Sequence, residues 1–258
     1  MRRFTETAPG VLVATAELFR TTTTVVSGPG GRCLVIDPAV TVSELAALAA
    51  ELAAAGLRPQ AGFATHPHWD HVLWCSDLGD VPRYAAPRAV ATAIAERDGL
   101  VSGVQAAAPG HDLALFGQLT ALAPGDAAIP WDGQEAAVIM HDGHAPGHSA
   151  VFLPATGTLV AGDMLSDVEI PLLDLAEPDP LGDYRTGLQR LAALPGVRHV
   201  IPGHGSVGDA AEFRRRVEAD VAYLDKLARG EDSDDSRLTQ DWLTDQHKLH
   251  LAHCRAHM

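Results

Sequence analysis

The chain has 258 residues, 47% of them hydrophobic and 20% charged, the proportions of a globular protein able to bury one large core. Nineteen basic residues against 33 acidic ones give a formal net charge of −14. That balance argues against a nucleic-acid partner, which needs clustered Lys and Arg. Only Lys226 and Lys248 are lysines, and the basic run Arg214-Arg215-Arg216 lies beside Glu212, Glu218 and Asp220, as a solvated helix face does. The three cysteines, Cys33, Cys75 and Cys254, form no CxxC, so neither a disulfide framework nor a thiolate zinc site is suggested. No apolar run has the length of a signal peptide or a membrane span, and the expectation is a cytoplasmic protein with no membrane partner.

In chain order, 11–16, 21–27 and 32–36 are strand-like, and the Gly28-Pro29-Gly30-Gly31 turn makes the last two an antiparallel hairpin. Ser43 is expected to cap a helix through Leu57, with Leu45, Leu48 and Leu52 on one face. A short buried strand follows at 60–65. After it come a helical continuation at 72–78, a strand at 82–86 and a helix at 87–97. Residues 99–133, rich in Gly and Pro, read as loops and strand fragments. Strands return at 136–141, 150–153 and 158–161. A loop at 166–181, a helix at 183–194, a strand at 197–201 and a helix at 209–229 come next. A last helical segment spans 236–253. Two sheets face to face with helices outside, a four-layer α+β arrangement, accommodate this order. The expectation is one domain over 1–258, with its core at about 10–205 and a helical C-terminal part at about 209–253.

The chemistry concentrates in Thr65-His66-Pro67-His68-Trp69-Asp70-His71, three imidazoles and a carboxylate within six positions at a strand end. On a tight turn His66 and His68 can converge on one point while Asp70 and His71 face another. Two metal positions roughly 3.5–4 Å apart would follow. Three further strand ends repeat the theme: His144-Ala145-Pro146-Gly147-His148, Gly162-Asp163 and Gly203-His204. Glycine at such points lets backbones approach closely.

The pattern His66-x-His68-x-Asp70-His71, then His148, Asp163 and His204, resembles the metallo-β-lactamase superfamily of hydrolases. The resemblance covers about residues 10–205. It implies an αββα sandwich with a dinuclear site in which His66, His68 and His148 hold one metal. Asp70, His71 and His204 would hold the other, with Asp163 bridging. Asp37 matches a position that often supports a ligand histidine and is expected to fix the tautomer of His66 or His68; His144 is a second supporting candidate. Imidazole and carboxylate ligands suit zinc, and also iron or manganese.

The implied activity is hydrolysis of a small ester, lactone or thioester by a metal-bridged hydroxide, with Asp70 orienting the nucleophile or taking its proton. The lactamases proper usually carry cysteine where Asp163 stands, which turns the reading away from antibiotics. Glyoxalase II-like enzymes follow the first motif with a small, Gly-containing stretch, whereas Val72-Leu73-Trp74 follows here. The alternatives are a mononuclear-iron sulfur dioxygenase, a phosphodiesterase and, last, a non-catalytic metal-binding scaffold. Trp69, Trp74, Ile170, Leu172 and Leu173 are candidates for an apolar substrate pocket, the last three on a loop that serves as a lid or as a packing loop. His247, His250 and His253, three apart near the C-terminus, read as a stripe on a partly frayed surface helix.

Overall fold

The central strands are apolar on both faces because each sheet is covered on both. In β4 (Arg32–Ile36), Cys33 and Val35 point one way and Leu34 and Ile36 the other, and all four are fully buried. In β9 (Ser149–Leu153), Ala150 and Phe152 face one core while Val151 and Leu153 face another. Since side chains alternate along a strand, burial on both sides requires a layer on each side.

The computed structural model describes residues 4–38 and 40–258 and arranges their strands in two sheets. The first holds β1 (Thr5–Ala8), β2 (Val11–Thr15), β3 (Thr22–Ser27), β4, β5 (Arg58–Phe63), β6 (Arg83–Ala85) and β7 (Thr120–Ala121), side by side in chain order. Pairing is antiparallel as far as β4 and parallel beyond it. The second has the order β12 (Gly208–Asp209), β11 (His199–Pro202), β10 (Thr158–Gly162), β9, β8 (Ala137–Met140). There β10 and β11 are parallel and the other neighbours antiparallel.

Val26, Leu34, Phe63, Val151, Val160 and Ile201 fill the space between the sheets. Outside the first sheet lie α1 (Val42–Ala54), α2 (Pro87–Ala95) and α3 (Arg97–Ala107), burying Leu45, Leu48, Ala89 and Val104. Outside the second lie α4 (Pro180–Ala192), α5 (Ala210–Ala228) and α6 (Asp241–Ala256), burying Leu188, Leu224, Leu243 and Leu251. The result is the α+β, four-layer αββα sandwich the sequence implied.

Local departures have local causes. The first helix is capped by Thr41, not Ser43. Thr41 Oγ1 accepts from Glu44 N at 3.2 Å and the Glu44 carboxylate accepts from Thr41 N at 3.1 Å, a closed capping box. No α-helix forms over 72–78, where Val72, Leu73 and Trp74 are all buried and leave no polar face; a short 3₁₀ turn at Ser76–Leu78 is all that appears. Residues 99–133, expected as loops, begin instead inside α3, where Gly103 leaves room for Trp69; a Cβ there would sit 3.0 Å from the indole. The C-terminal stripe is not frayed: His247 and His250 are buried.

The fold places the site by bringing strand ends to one edge. The chain leaves β4, β5, β8, β10 and β11 there, as expected where parallel strands end. Two backbone bonds lace the sheets together at that edge, Thr22 N to Gly203 O and Ser149 N to Thr65 O, each 2.7 Å.

Candidate metal centre

The segment after β5 turns back on itself, with His71 N donating to His68 O at 3.1 Å. Its entry is fixed by Asp37, fully buried at the end of β4. The two oxygens of the Asp37 carboxylate accept from Thr65 N at 2.8 Å and from Thr65 Oγ1 at 2.7 Å. With its proton committed to Asp37, Thr65 Oγ1 must accept at 3.0 Å from His66 Nδ1–H, so the lone pair of His66 lies on Nε2. Asp37 was expected to orient His66 or His68 directly. It reaches His66 only through Thr65, and its own carboxylate lies 3.0 Å from His71 Nδ1.

His66 Nε2 faces His68 Nδ1 at 3.0 Å, and His144 Nε2 faces the same atom at 3.1 Å. His144 Nδ1–H donates to Leu172 O at 3.1 Å, which leaves its Nε2 unprotonated as well. His144 therefore stands where His148 was expected. His148 Nε2 accepts from Asp163 N at 3.0 Å, and its ring stacks between His66 and His141. The reason is backbone conformation: His144 has φ +76°, which swings its side chain inward before the Pro146-Gly147 turn. In place of a ligand position, His148 buttresses the Asp163 backbone.

Asp70, His71 and His204 form a second group. His204 Nε2 lies 3.4 Å from Asp70 Oδ2 and from His71 Nε2, and its Nδ1–H donates to Phe19 O at 3.0 Å. Asp163 stands between the groups. Its Oδ2 is 3.4 Å from His66 Nε2 and His144 Nε2 and 3.2 Å from His204 Nε2; its Oδ1 is 3.3 Å from His71 Nε2. Two glycines make this approach feasible. Gly162 takes φ +55° over His148, and a Cβ on Gly203 would fall 1.9 Å from Asp163 Oδ1. Of the non-glycine residues with positive φ among those described, Asp37 and His144 belong to the site, Leu165 lies two residues after Asp163, and Phe19 and Arg20 bond through their carbonyls to His204 and Gly205. Such conformations cost of order 1–3 kcal/mol each and persist where surrounding structure over-determines them.

Burial pushes His66 and His148 well below the ordinary imidazole range, helped by their cationic-capable neighbours, and takes His68 down to about 3. Burial also opposes charge on His71 and His204, but there the carboxylates win. Asp163, Asp70 and Asp37 raise His71 well above its usual value, and Asp163, Asp70 and Glu169 raise His204 to about 10. Burial acts against ionised Asp163 too, yet His204, His71 and His66 hold it well below the carboxylate range. One half of the site thus presents neutral imidazoles and the other demands positive charge.

The pocket expectations divide. Trp69 is partly exposed and meets Phe19 edge-on, with ring centroids 6.0 Å apart. Trp74 is a core residue instead, its indole N–H donating to Gly79 O at 2.9 Å beneath Arg83. Ile170 and Leu173 are likewise buried in the core of the second sheet, and Leu172 packs against that core through its side chain while its carbonyl holds His144. Ile170, Leu172 and Leu173 thus act as packing residues of this segment. Sequence reasoning missed Phe19 and Glu169. Glu169 is pushed up to about 6 by burial, with His204 opposing and Asp163 adding to the rise. Nothing in the local sequence marks either residue, since both arrive by loop packing.

The donor set fits divalent metal ions. The Nε2 lone pairs of His66 and His144, each assigned by a hydrogen bond on the far side of its ring, converge on His68 Nδ1 at about 3 Å, and a buried Asp163 oxygen has no hydrogen-bond partner. A cation among these groups would meet all of them at once. His66, His68, His144 and Asp163 offer atoms within 4.8 Å of one another, as do Asp70, His71 and His204.

Residues 16–204 match the model of the metallo-beta-lactamase superfamily. A hydroxyacylglutathione hydrolase of Rhodobacter capsulatus is 37% identical over 155 residues, which is 60% of this chain and 51% of that protein, so the chain spans about half of that relative's length. The metallo-beta-lactamase family protein TTHA1429 from Thermus thermophilus is similar in structure, with a TM-score of 0.70 and 22% identity, over 96% of this chain and 94% of that one. TTHA1623 in a di-iron-bound form gives 0.61 with 27% identity, over 79% of this chain and 97% of that one.

Proposed function

Because the chain belongs to the metallo-beta-lactamase superfamily, we propose that it hydrolyses a small ester, lactone or thioester with two divalent metal ions. The observation that carries this reading is the convergence of His66 Nε2, His68 Nδ1 and His144 Nε2 beside Asp163. Those four residues would hold one ion; Asp70, His71 and His204 would hold the other, with Asp163 shared. When bound, such ions supply Lewis acidity toward a carbonyl oxygen and a water nucleophile at neutral pH. Zinc suits this nitrogen- and carboxylate-rich set, as do iron and manganese.

The chain's own residues do the positioning. Thr65, Phe19 and Leu172 each take the Nδ1 side of an imidazole, which aims the Nε2 lone pairs of His66, His204 and His144 inward, while the Asp37 carboxylate lies 3.0 Å from His71 Nδ1. Asp70 Oδ2, 3.4 Å from His204 Nε2, orients the attacking water and accepts its proton for the leaving group. Trp69 and Phe19 form the apolar side of the approach, and Glu169 adds a carboxylate to it.

The Rhodobacter relative favours a thioester among the three bonds. The bulky Val72-Leu73-Trp74 does not stand in its way, because these side chains turn into the core. The complete second group favours a hydrolase over a mononuclear-iron dioxygenase. A panel of neutral and anionic esters, lactones, thioesters and phosphodiesters tests the reading. Turnover of one carboxylic class by the metal-loaded chain is expected. Replacing Asp70 with Ala should lower kcat by about 10²–10⁴-fold. Full activity of Asp70→Ala at unchanged metal content would contradict the role given to this carboxylate.

A further inference from the structure

His144 is tied to an exposed carboxylate, Asp232, by an unbroken series of hydrogen bonds. Its Nδ1–H donates to Leu172 O at 3.1 Å, and the N–H of the same peptide group, on Leu173, donates to His250 Nε2 at 3.2 Å. His250 Nδ1 is 3.2 Å from Tyr223 Oη, which is 3.1 Å from His247 Nδ1. His247 Nε2 is 2.9 Å from Asp232 Oδ1, an exposed carboxylate. His250, Tyr223 and His247 are buried to within 3% of complete.

One backbone donor settles every proton in this series. Leu173 N–H can only donate, so His250 Nε2 is unprotonated and a neutral His250 carries its proton on Nδ1. That proton goes to Tyr223 Oη, whose own proton goes to His247 Nδ1. His247 then carries its proton on Nε2 and gives it to Asp232. Ser233 N–H, which approaches His247 Nε2 at 3.4 Å, takes the Asp232 carboxylate at 2.8 Å instead. Along the series itself, from Leu173 N–H to Asp232, every donor meets an acceptor.

We propose that His250, held by Tyr223 and His247, is a positioning residue for His144, acting through the Leu172–Leu173 peptide to set the metal affinity of the His66–His68–His144–Asp163 group. The peptide plane carries both the acceptor for His144 and the donor to His250, so neither bond moves without the other. Donation to His250 also polarises the Leu172 carbonyl, which strengthens its hold on His144 Nδ1–H and raises the basicity of Nε2. Partners of this kind change metal affinity by about 10–100-fold. Helix α6 thereby belongs to the site, although none of its residues touches the reacting atoms.

The inference rests on the metal reading above, and the test separates the two. Zinc affinity of the full chain is measured by competition with a chromophoric chelator, for the unsubstituted protein, His250→Leu, His250→Gln and Tyr223→Phe. His250→Leu should weaken one of two zinc equivalents by about 10–100-fold and leave the other unchanged. His250→Gln, whose amide accepts from Leu173 N and donates to Tyr223, should restore most of the loss. Tyr223→Phe keeps the ring in the core and should give a smaller loss in the same equivalent, which keeps the inference testable if His250→Leu does not fold. Nitrogen-15 spectra should place the His250 ring proton on Nδ1. Two equivalents bound with unchanged affinity in both His250→Leu and Tyr223→Phe would overturn this inference alone. No tight zinc binding by the unsubstituted protein would overturn the metal reading and this inference with it.

Discussion

Thr65 joins Asp37 to His66 through three hydrogen bonds. It donates to Asp37 through both its backbone N–H and its hydroxyl, and the hydroxyl oxygen accepts from His66. A Thr65→Val chain keeps the shape and loses the hydroxyl, leaving a buried carboxylate oxygen and a buried imidazole N–H each short of a partner. Such orphaned groups cost about 1–3 kcal/mol apiece. Denaturant unfolding should show a lower midpoint with an unchanged slope, and an unaltered midpoint would remove Thr65 from the support of the site. At this scale the dense motif at 65–71 was legible because its side chains are neighbours in sequence. The choice between His144 and His148 was not. Two histidines four apart around Pro-Gly are equivalent in spacing, and it is the left-handed backbone of His144 that sends one inward. The partner of Asp37 was equally hidden, since Asp37 and His71 meet only after β4 and β5 pair.

Helix α6 shows how an element's surroundings decide the reading of its residues. Histidines at 247, 250 and 253 suggest an exposed stripe, yet the first two are buried against Tyr223 of α5 while His253 stacks on His257 at the surface. Burial, with His247, His253 and His144 adding to it, lowers His250 to about 4. In the unfolded chain an imidazole titrates near 6.5. Between those values the unfolded chain binds a proton that the folded one refuses, so His250 contributes stability that is fully present above about pH 6.5 and declines toward pH 4. Comparing the intact protein with His250→Gln under matched metal conditions should show an excess loss of about 2 kcal/mol for the intact protein between about pH 7 and pH 5. Equal losses would mean that His250 titrates freely. Helix α3 escaped the sequence reading for a related reason. Gly99 and Gly103 lower its propensity, and only Val104 of its residues is fully buried, so its periodicity was weak.

The molecule as a whole is organised so that two sheets contribute to one edge. The first supplies Asp37 and the 65–71 turn, and the second supplies His144, Asp163 and His204. The four layers were legible because apolar runs in the strands require cover on both faces. The lacing of the sheets at Thr22–Gly203 and Ser149–Thr65 was not, because backbone bonds carry no sequence signature. No helix among the described residues is long and apolar enough to cross a membrane. A site drawn from both sheets makes bound metal a fastener across the whole sandwich. Ligands that bind only the folded chain stabilise it by about 2.7 kcal/mol at a hundredfold excess over Kd. A strong chelator should therefore lower the melting temperature by several degrees, and re-added metal should restore it. The measurement that tests the central claim most directly is metal content per chain, by elemental analysis of the purified protein. Close to two divalent ions per chain is the expected result. A chain purified and dialysed in metal-supplemented buffer that holds well under one equivalent would contradict it.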